Sequence, residues 1–271
     1  MPLLVSAPLL APLLAHAAVP FGNKHRNFGS VIRGAPLPPA GAVAFEHSCI
    51  AAPCAVTQML FASVYPTAGA PFDWQHATIS LFIDGEATAS VAVSALELGW
   101  VSEFASRPAY GGGAHAGAMM DNSGRPWGTT FFGHTAVSGG TYSTLRVPFA
   151  RSLRVLIQPA PGTTTDSKYW FDVRGVEALP IILGELQLPP TARLKIHRVS
   201  NRSLAHLEML TIATSPTGTS GAILGTKFDA TAHDFTFLEA CPRFYPTAAP
   251  DEPPMYLSSG AEDYFLSASY L

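Results

Sequence analysis

Two glutamates near the end of the 271-residue sequence have the residue type and spacing that glycoside hydrolysis requires. Glu239 directly follows the apolar run Phe-Thr-Phe-Leu, and Glu262 comes 23 positions later, after a proline-rich loop. This interval is long enough for a strand, a loop and a second strand, so two strand ends could lie side by side. One carboxyl group would protonate the departing oxygen, while the other would attack the sugar or activate water. The spacing alone leaves an ordinary alternative open, in which each glutamate is a solvated residue at a strand edge.

Alternating apolar residues predict that β-strands position these acids. The stretch ATISLFIDGEATASVAV alternates on both sides of Asp84-Gly85, which is typical of a β-hairpin with an Asp-Gly turn. The stretches TYSTLRVPFARSLRVLIQPAP and YWFDVRGVEAL continue this pattern, and ARLKIHRVSN predicts one more short strand. No long stretch keeps a helical period, so we expect any helix to be short. The sequence therefore predicts an all-β chain built as a β-sandwich or jelly roll.

The amino-acid composition limits the class of protein and the kinds of binding partner that can be expected. Apolar residues make up 48% and charged residues 13% of the chain, which also carries 23 Gly and 24 Pro. These values are typical of a globular protein with many turns. The formal charge of −3 offers no basic surface for nucleic acid, so we expect no nucleic-acid partner.

The N-terminal 17 residues resemble a secretory signal peptide. An apolar run leads to Ala15-His16-Ala17, whose small residues suit cleavage after Ala17, although no positive segment precedes the run. We therefore expect a secreted or extracellular protein with no membrane association after cleavage. The sequon at Asn201 is compatible with export. In an oxidising compartment Cys49 and Cys54 are the local candidates for a disulfide that leaves Cys241 free; three free thiols are the alternative.

Two connecting segments stand apart from the predicted strands. The glycine-rich stretch 110–122, YGGGAHAGAMMDN, is either the rim of a pocket or a long connection. The stretch 181–190, IILGELQLPP, is a plausible junction between domains. We accordingly expect a first jelly-roll domain over residues 18–180 and a second over residues 181–271, the latter carrying the acidic pair.

The segment LEACPRFYPTAAPDEPPMYLSSGAEDYFLSASY resembles the Leu-Glu-Gly/Ala and Gly-x-Glu-Asp-Tyr-Phe motifs of glycoside hydrolase family 172 (DUF2961). LFIDGEATASVAV and YSTLRVPFARSLRVLI are similar to two upstream strands of that family. The resemblance implies a double jelly roll that assembles into trimers or their multiples. It also implies action on α-D-fructofuranosides or D-arabinofuranosides, with a carbohydrate substrate and no cofactor or metal.

Carried over by position, the resemblance makes Glu239 the nucleophile and Glu262 the acid/base of a retaining mechanism. Glu262 must have a raised pKa to act as an acid, and the aromatic neighbour Tyr264 together with the negative charges of Asp263 and Glu239 would favour this. Glu239 must stay ionised, which a donor such as Arg243 would assist. Asp263 either contacts the sugar or binds backbone amides in its own loop, and Tyr264 either stacks on a furanose or contributes to the core.

The stretch WGTTFFGHT supplies further candidates for the substrate pocket, namely Trp127 and His134, although a strand core accounts equally well for its phenylalanines. Family members continue further past the Glu-Asp-Tyr-Phe segment than this sequence does, so we expect an incomplete second jelly roll. Two functions follow. The first is a secreted retaining furanosidase, and the second is a noncatalytic jelly-roll module that binds carbohydrate or forms oligomers.

Overall fold

The computed structural model describes residues 25–64, 77–99, 127–128, 130–134, 140–162, 167–205, 208–216, 218–227, 241–245 and 254–257. The described residues as far as Ile196 belong to one compact unit, and those from His197 onwards belong to a second. In chain order, the first unit contains β1 (Arg26–Leu37), β2 (Ala42–Ser48), β3 (Cys54–Val64), β4 (Thr78–Ile83), β5 (Val91–Ser94), α1 (Ala95–Leu98), β6 (Trp127–Gly128), β7 (Phe132–His134), β8 (Gly140–Ser143), β9 (Val147–Phe149), β10 (Ser152–Gln158), β11 (Ser167–Glu177), β12 (Ile181–Leu183) and β13 (Leu186–Leu188).

The prediction of an all-β chain is confirmed. Seven strands form one antiparallel sheet in the order β1-β11-β3-β8-β7-β6, with β9 also paired to β3. Four strands form a second antiparallel sheet in the order β2-β10-β4-β5. Both sheets contribute side chains to a single hydrophobic core, so the first unit is a β-sandwich.

The alternating apolar residues identified in the sequence fill this core. Ile79, Leu81 and Ile83 of β4 are buried, as are Leu153, Val155 and Ile157 of β10 beside them. In the larger sheet, the completely buried side chains include those of Phe61, Phe149 and Phe171. Because side chains of a strand point alternately to its two faces, a period of two places one set of residues between the sheets.

The predicted Asp-Gly hairpin is also confirmed, since β4 and β5 pair across a turn at Asp84-Gly85. The single-turn helix α1 follows β5 directly. Its N-terminus has a capping box, in which the Ser94 hydroxyl accepts from the Glu97 amide and the Glu97 carboxylate accepts from the Ser94 amide.

The strand predicted over ARLKIHRVSN is wrong. Residues 192–201 form neither a helix nor a ladder, and Ile196 and Val199 are 42% and 45% exposed. Alternation is insufficient here because a strand also needs a neighbour to accept and donate its backbone hydrogen bonds. In contrast, the predicted junction 181–190 contains a tight hairpin of β12 and β13, turning at Gly184.

In the described part of the second unit, the regular structure is one antiparallel pair, β14 (Arg243–Phe244) and β15 (Tyr256–Leu257). The jelly-roll topology and the division into domains at residue 180 remain predictions. Among the described residues, no helix has the length and apolar character to cross a membrane.

Candidate functional site

The predicted catalytic residues Glu239 and Glu262 lie outside the described residues, as do Asp263 and Tyr264 and the loop 110–122. Three other predicted site residues fall within the described chain. Arg243 is an exposed residue of β14. Trp127 in β6 and His134 in β7 are direct partners in one ladder, so the structure brings these two together on the backbone.

The pair β14–β15 lies between the two predicted catalytic acids in sequence. Arg243 is opposite Leu257, and Phe244 is opposite Tyr256. The rings of Phe244 and Tyr256 meet edge to face, with centroids 5.5 Å apart. Because the ladder is antiparallel, the chain entering β14 and the chain leaving β15 emerge at the same end of the pair.

Asp84 is a buried carboxylate of the first unit with hydrogen bonds to three backbone amides. It is 6% exposed and has a φ of 56°, in the left-handed region that Asp tolerates better than most residues. Its Oδ1 accepts from the amides of Ala150, Arg151 and Ser152 at 3.0, 2.5 and 3.0 Å. Its Oδ2 forms an ion pair with Arg193. The carboxylate thereby fixes the turn between β9 and β10 against the β4–β5 hairpin.

The electrostatic environment favours the charged form of Asp84. Burial opposes ionisation, but the three amide hydrogen bonds and the positive charge of Arg193 outweigh it and hold the pKa of Asp84 below its usual value of 3.8. Both carboxylate oxygens are therefore occupied by protein donors. Asp84 thus serves the fold, and it has little remaining capacity to bind a ligand.

Glu86 lies beyond the same turn and forms a second polar contact. Its carboxylate accepts from the Ser90 hydroxyl and from Lys195 Nζ, the latter at 2.9 Å. Burial opposes ionisation, but these bonds and the Lys195 charge lower the pKa of Glu86. With the ion pair between Arg193 and Asp84, these contacts attach residues 193–196 to the hairpin.

A buried polar cluster lies at the end of β11. Glu177 is 1% exposed and lies directly opposite Cys54 of β3 in the ladder. Its Oε1 accepts from His47 Nε2 at 2.6 Å and from the Ile50 amide at 3.2 Å. Its Oε2 is buried and has no hydrogen-bond partner among the described residues. The imidazole of His47 is stacked on the ring of Phe28, with centroids 4.0 Å apart.

A disulfide borders this cluster. Cys49 and Cys54 are joined with their Cα atoms 6.1 Å apart, so of the two alternatives left open by the sequence the structure contains the disulfide, and Cys241 is not part of it. The Sγ atoms of both cysteines and a carboxylate oxygen of Glu177 all lie within 4.8 Å of one another. Burial opposes ionisation of Glu177, but its hydrogen bonds from His47 and Ile50 and the charges of His47 and Arg26 lower its pKa.

Sequence reasoning missed His47 and Glu177, although one signal pointed to the glutamate. In β11, Tyr169, Phe171 and Val173 are buried at every second position. Continuing that period reaches Glu177, so the strand pattern places an acid on the core side of the sheet. An acid at such a position needs a partner, and a partner 130 residues away in sequence could not be named from the pattern.

An open groove is lined by residues of β2, β4 and β10 and by the turn that follows β4. Its volume is about 410 Å³, and it is lined by Glu46, His47, Ser48, Phe82, Gly85, Glu86, Ser152, Leu153 and Arg154. The guanidinium of Arg154 lies over the ring of Phe82, 4.4 Å from its centroid. The groove thus combines two carboxylates and a guanidinium, which can hydrogen-bond sugar hydroxyls, with an aromatic ring, which can stack on the C–H face of a sugar.

No protein-family profile and no curated protein matches the chain. The resemblance to glycoside hydrolase family 172 therefore depends on the segments quoted above.

Proposed function

We propose that the chain is a secreted retaining glycoside hydrolase that acts on α-D-fructofuranosyl or D-arabinofuranosyl linkages. Glu239 serves as the nucleophile and Glu262 as the acid/base. Glu262 protonates the leaving oxygen while Glu239 attacks the anomeric carbon, and Glu262 then removes a proton from the water that releases the sugar. Arg243, Trp127, His134, Asp263 and Tyr264 are the candidates for contacts with the substrate.

The pairing of β14 with β15 is the observation that carries this proposal. Glu239 precedes Arg243 by four residues, and Glu262 follows Leu257 by five. Since Arg243 and Leu257 are direct partners, the ladder leads the chain towards both acids from one end of the pair. The strand-loop-strand arrangement that a carboxylate pair needs is therefore supported by the described residues between the two acids.

The two intervals also set a geometric requirement. They differ by one residue, and a shift of one residue moves a side chain to the other face of a sheet. If the ladder register continued towards the acids, both carboxylates would share one face only with a one-residue bulge between the ladder and one of them. A retaining pair needs carboxyl groups about 5 to 5.5 Å apart, so the proposal requires such a bulge or an equivalent turn.

The Asp84 contacts support the same proposal from the first unit. Two upstream segments that resemble the family, LFIDGEATASVAV and YSTLRVPFARSLRVLI, overlap β4–β5 and β8–β10. Asp84 of the first segment binds the backbone of the second at Ala150, Arg151 and Ser152. The two segments therefore form one structural unit.

Hydrolysis of nitrophenyl furanosides by the full-length protein tests the proposal. We expect Glu262→Gln to reduce the rate by orders of magnitude. Glu239→Gly should also be inactive, and azide should restore turnover by replacing the lost nucleophile. Glu185→Gln is the matched control, because Glu185 is an exposed carboxylate in the β12–β13 turn. Full activity in both the Glu239 and Glu262 variants would refute the glycosidase assignment.

The groove on the four-stranded sheet favours carbohydrate binding without catalysis as a second candidate function. Glu46, Arg154 and Phe82 lie in one row across three adjacent strands and line the groove. Calorimetric titration with fructan and arabinan oligosaccharides distinguishes the candidates. Binding that is lost in Glu46→Gln and Arg154→Gln, but kept in Glu262→Gln, with no hydrolysis by the wild type, would establish the binding module.

The proposal also includes secretion of the protein and its assembly into trimers or multiples of trimers, and each is tested separately. If the leader is cleaved after Ala17, sequencing of secreted protein should begin at Ala18, and intact Met1 in cytosolic material would contradict export. Light scattering should give the mass of a trimer or a multiple of three chains. A monomeric mass at working concentration would contradict the trimer.

A further inference from the structure

The end of the sandwich at β11 brings two cysteines and a buried carboxylate together. Glu177 is the last residue of β11, and Cys54, the first residue of β3, is its direct partner in the ladder. Cys49 follows β2 directly. Their sulfur and carboxylate oxygen atoms lie within 4.8 Å of one another. Three potential metal ligands therefore come from three segments that the sandwich holds in place.

The two oxygens of the Glu177 carboxylate, which lies beside the two sulfurs, differ in their hydrogen bonding. His47 and the Ile50 amide both bind Oε1 of Glu177, whereas Oε2 is buried without a hydrogen-bond partner among the described residues. A buried carboxylate oxygen that accepts nothing costs free energy, since its hydration is lost without replacement. A cation bound at Oε2 would remove that cost.

We propose that Cys49, Cys54 and Glu177 form a zinc site when the Cys49–Cys54 disulfide is reduced. A dithiol reductant supplies two electrons and two protons, which open the S–S bond and give two thiols. Zinc binding then releases both thiol protons to solvent, leaving two thiolates and the Glu177 carboxylate as ligands. A small-molecule disulfide reverses the sequence: the two thiolates form the S–S bond, zinc leaves, and the small molecule is reduced.

The ligand set favours zinc over Mg²⁺ and Ca²⁺. Zinc accepts thiolate sulfur at about 2.3 Å and carboxylate oxygen at about 2.0–2.2 Å in a tetrahedral site, whereas Mg²⁺ and Ca²⁺ require oxygen ligands. The 6.1 Å between the Cα atoms of Cys49 and Cys54 allows both sulfurs to face one ion after side-chain rotation. The fourth position is left for water.

His47 is a positioning residue for this site. Its Nε2 holds Oε1 of Glu177, and its ring is fixed by stacking on Phe28 and by edge contact with Phe149. This arrangement holds the Glu177 carboxylate in place beside the two sulfurs. Partners of this kind, which bind a metal ligand from outside, typically change metal affinity by about 10–100-fold when they are removed.

Metal titration of the reduced and oxidised full-length protein tests the site. We expect one equivalent of Zn²⁺ per chain after reduction and none in the disulfide form. Co²⁺, used as a coloured probe, should give a thiolate-to-metal absorption that Zn²⁺ abolishes. Cys54→Ser should remove that absorption, Glu177→Gln should weaken binding at least about tenfold, and His47→Gln should weaken it by about 10–100-fold with the absorption retained.

Cys241→Ser is the control and should still bind one equivalent. A second experiment uses the wild-type protein, so that its outcome does not depend on whether the variants fold. Zn²⁺ should slow the alkylation of Cys49 and Cys54 in the reduced protein, as mapped by mass spectrometry. Zinc uptake that is unchanged in Glu177→Gln would overturn the assignment of the carboxylate as a ligand. Alkylation at equal rates with and without Zn²⁺ would overturn the site as a whole.

Discussion

Asp84 and Glu177 are both buried carboxylates at strand ends of the first unit, yet their surroundings differ. Asp84 has both oxygens bound, by three backbone amides and by Arg193. Glu177 has one oxygen bound and the other without a partner among the described residues. The comparison shows that burial alone does not indicate the role of an acid. A carboxylate whose two oxygens both accept hydrogen bonds from the protein stabilises the fold. A carboxylate with one buried oxygen that accepts no hydrogen bond can still bind a cation.

Their places in the fold explain the difference. Asp84 lies in a hairpin turn beside the backbone at residues 150–152, whose three amides donate to its carboxylate. Glu177 ends a central strand of the larger sheet, where neighbouring backbone groups already bind one another in the ladders with β1 and β3. The first site therefore offers many donors, and the second offers few.

Removal of the Asp84 carboxylate should have the largest effect on stability. Asp84→Ala leaves three amides and Arg193 without their acceptor, and we expect a loss of about 3–5 kcal/mol in the free energy of unfolding. Asp84→Gly should lose about 1 kcal/mol less, because glycine adopts the φ of 56° without strain. Urea unfolding measures both variants. A glycine variant as stable as the wild type would show that the carboxylate contributes no more than the roughly 1 kcal/mol that relief of the backbone strain returns.

Glu177→Gln should cost less than either Asp84 variant. Glutamine keeps an oxygen for His47 and the Ile50 amide, so we expect a loss of about 1–3 kcal/mol from the missing charge and the added buried amide. Urea unfolding of the oxidised protein is the measurement, since the disulfide prevents metal binding there. A loss as large as that of Asp84→Gly would contradict the distinction between the two acids.

Low pH should reduce the stability of the first unit because Asp84 and Glu177 become protonated. Both pKa values are lowered in the folded state, from 3.8 for Asp84 and 4.5 for Glu177. Each contribution is therefore complete above the unfolded pKa and is lost as the pH falls through the folded pKa. We expect the unfolding free energy to decrease below about pH 4.5, with a shallower decrease in Glu177→Gln. Equal slopes in the two proteins would exclude Glu177 from the acid response.

The smallest effect is expected at the exposed ion pair beside the Asp84 turn. Lys195 and Glu86 are 2.9 Å apart, with side chains 54% and 29% exposed. Lys195→Ala should therefore cost about 0–1 kcal/mol and still less at high salt. Arg193→Ala should cost more, because Arg193 binds the buried Asp84. Urea unfolding of the two variants at low and high salt provides the comparison, and a larger loss in Lys195→Ala would reverse the expected order.

Local pattern was sufficient for parts of the fold. The β4–β5 hairpin, β10 and most of β11 follow from alternating residues and turn chemistry within short stretches, and Cys49 and Cys54 are close enough in sequence for their disulfide to be anticipated. The edge strand β1 was missed because NFGSVIRGAPL contains two glycines and a proline and is held in place by β11, about 140 residues away. ARLKIHRVSN shows the converse, since it alternates well but joins no ladder among the described residues.

The sequence by itself determined the all-β class, the hairpin at Asp84 and the glutamate pair as the candidate catalytic residues. Each of these inferences depends on residues that are close together in the sequence. Only the tertiary structure decided that Asp84 binds the backbone at residues 150–152, and that His47, Cys54 and Glu177 meet at one end of the sandwich. The physical reason is that these contacts join residues at least 66 positions apart. A period of two indicates which face of a strand a side chain occupies, but it does not indicate which residue lies across the ladder.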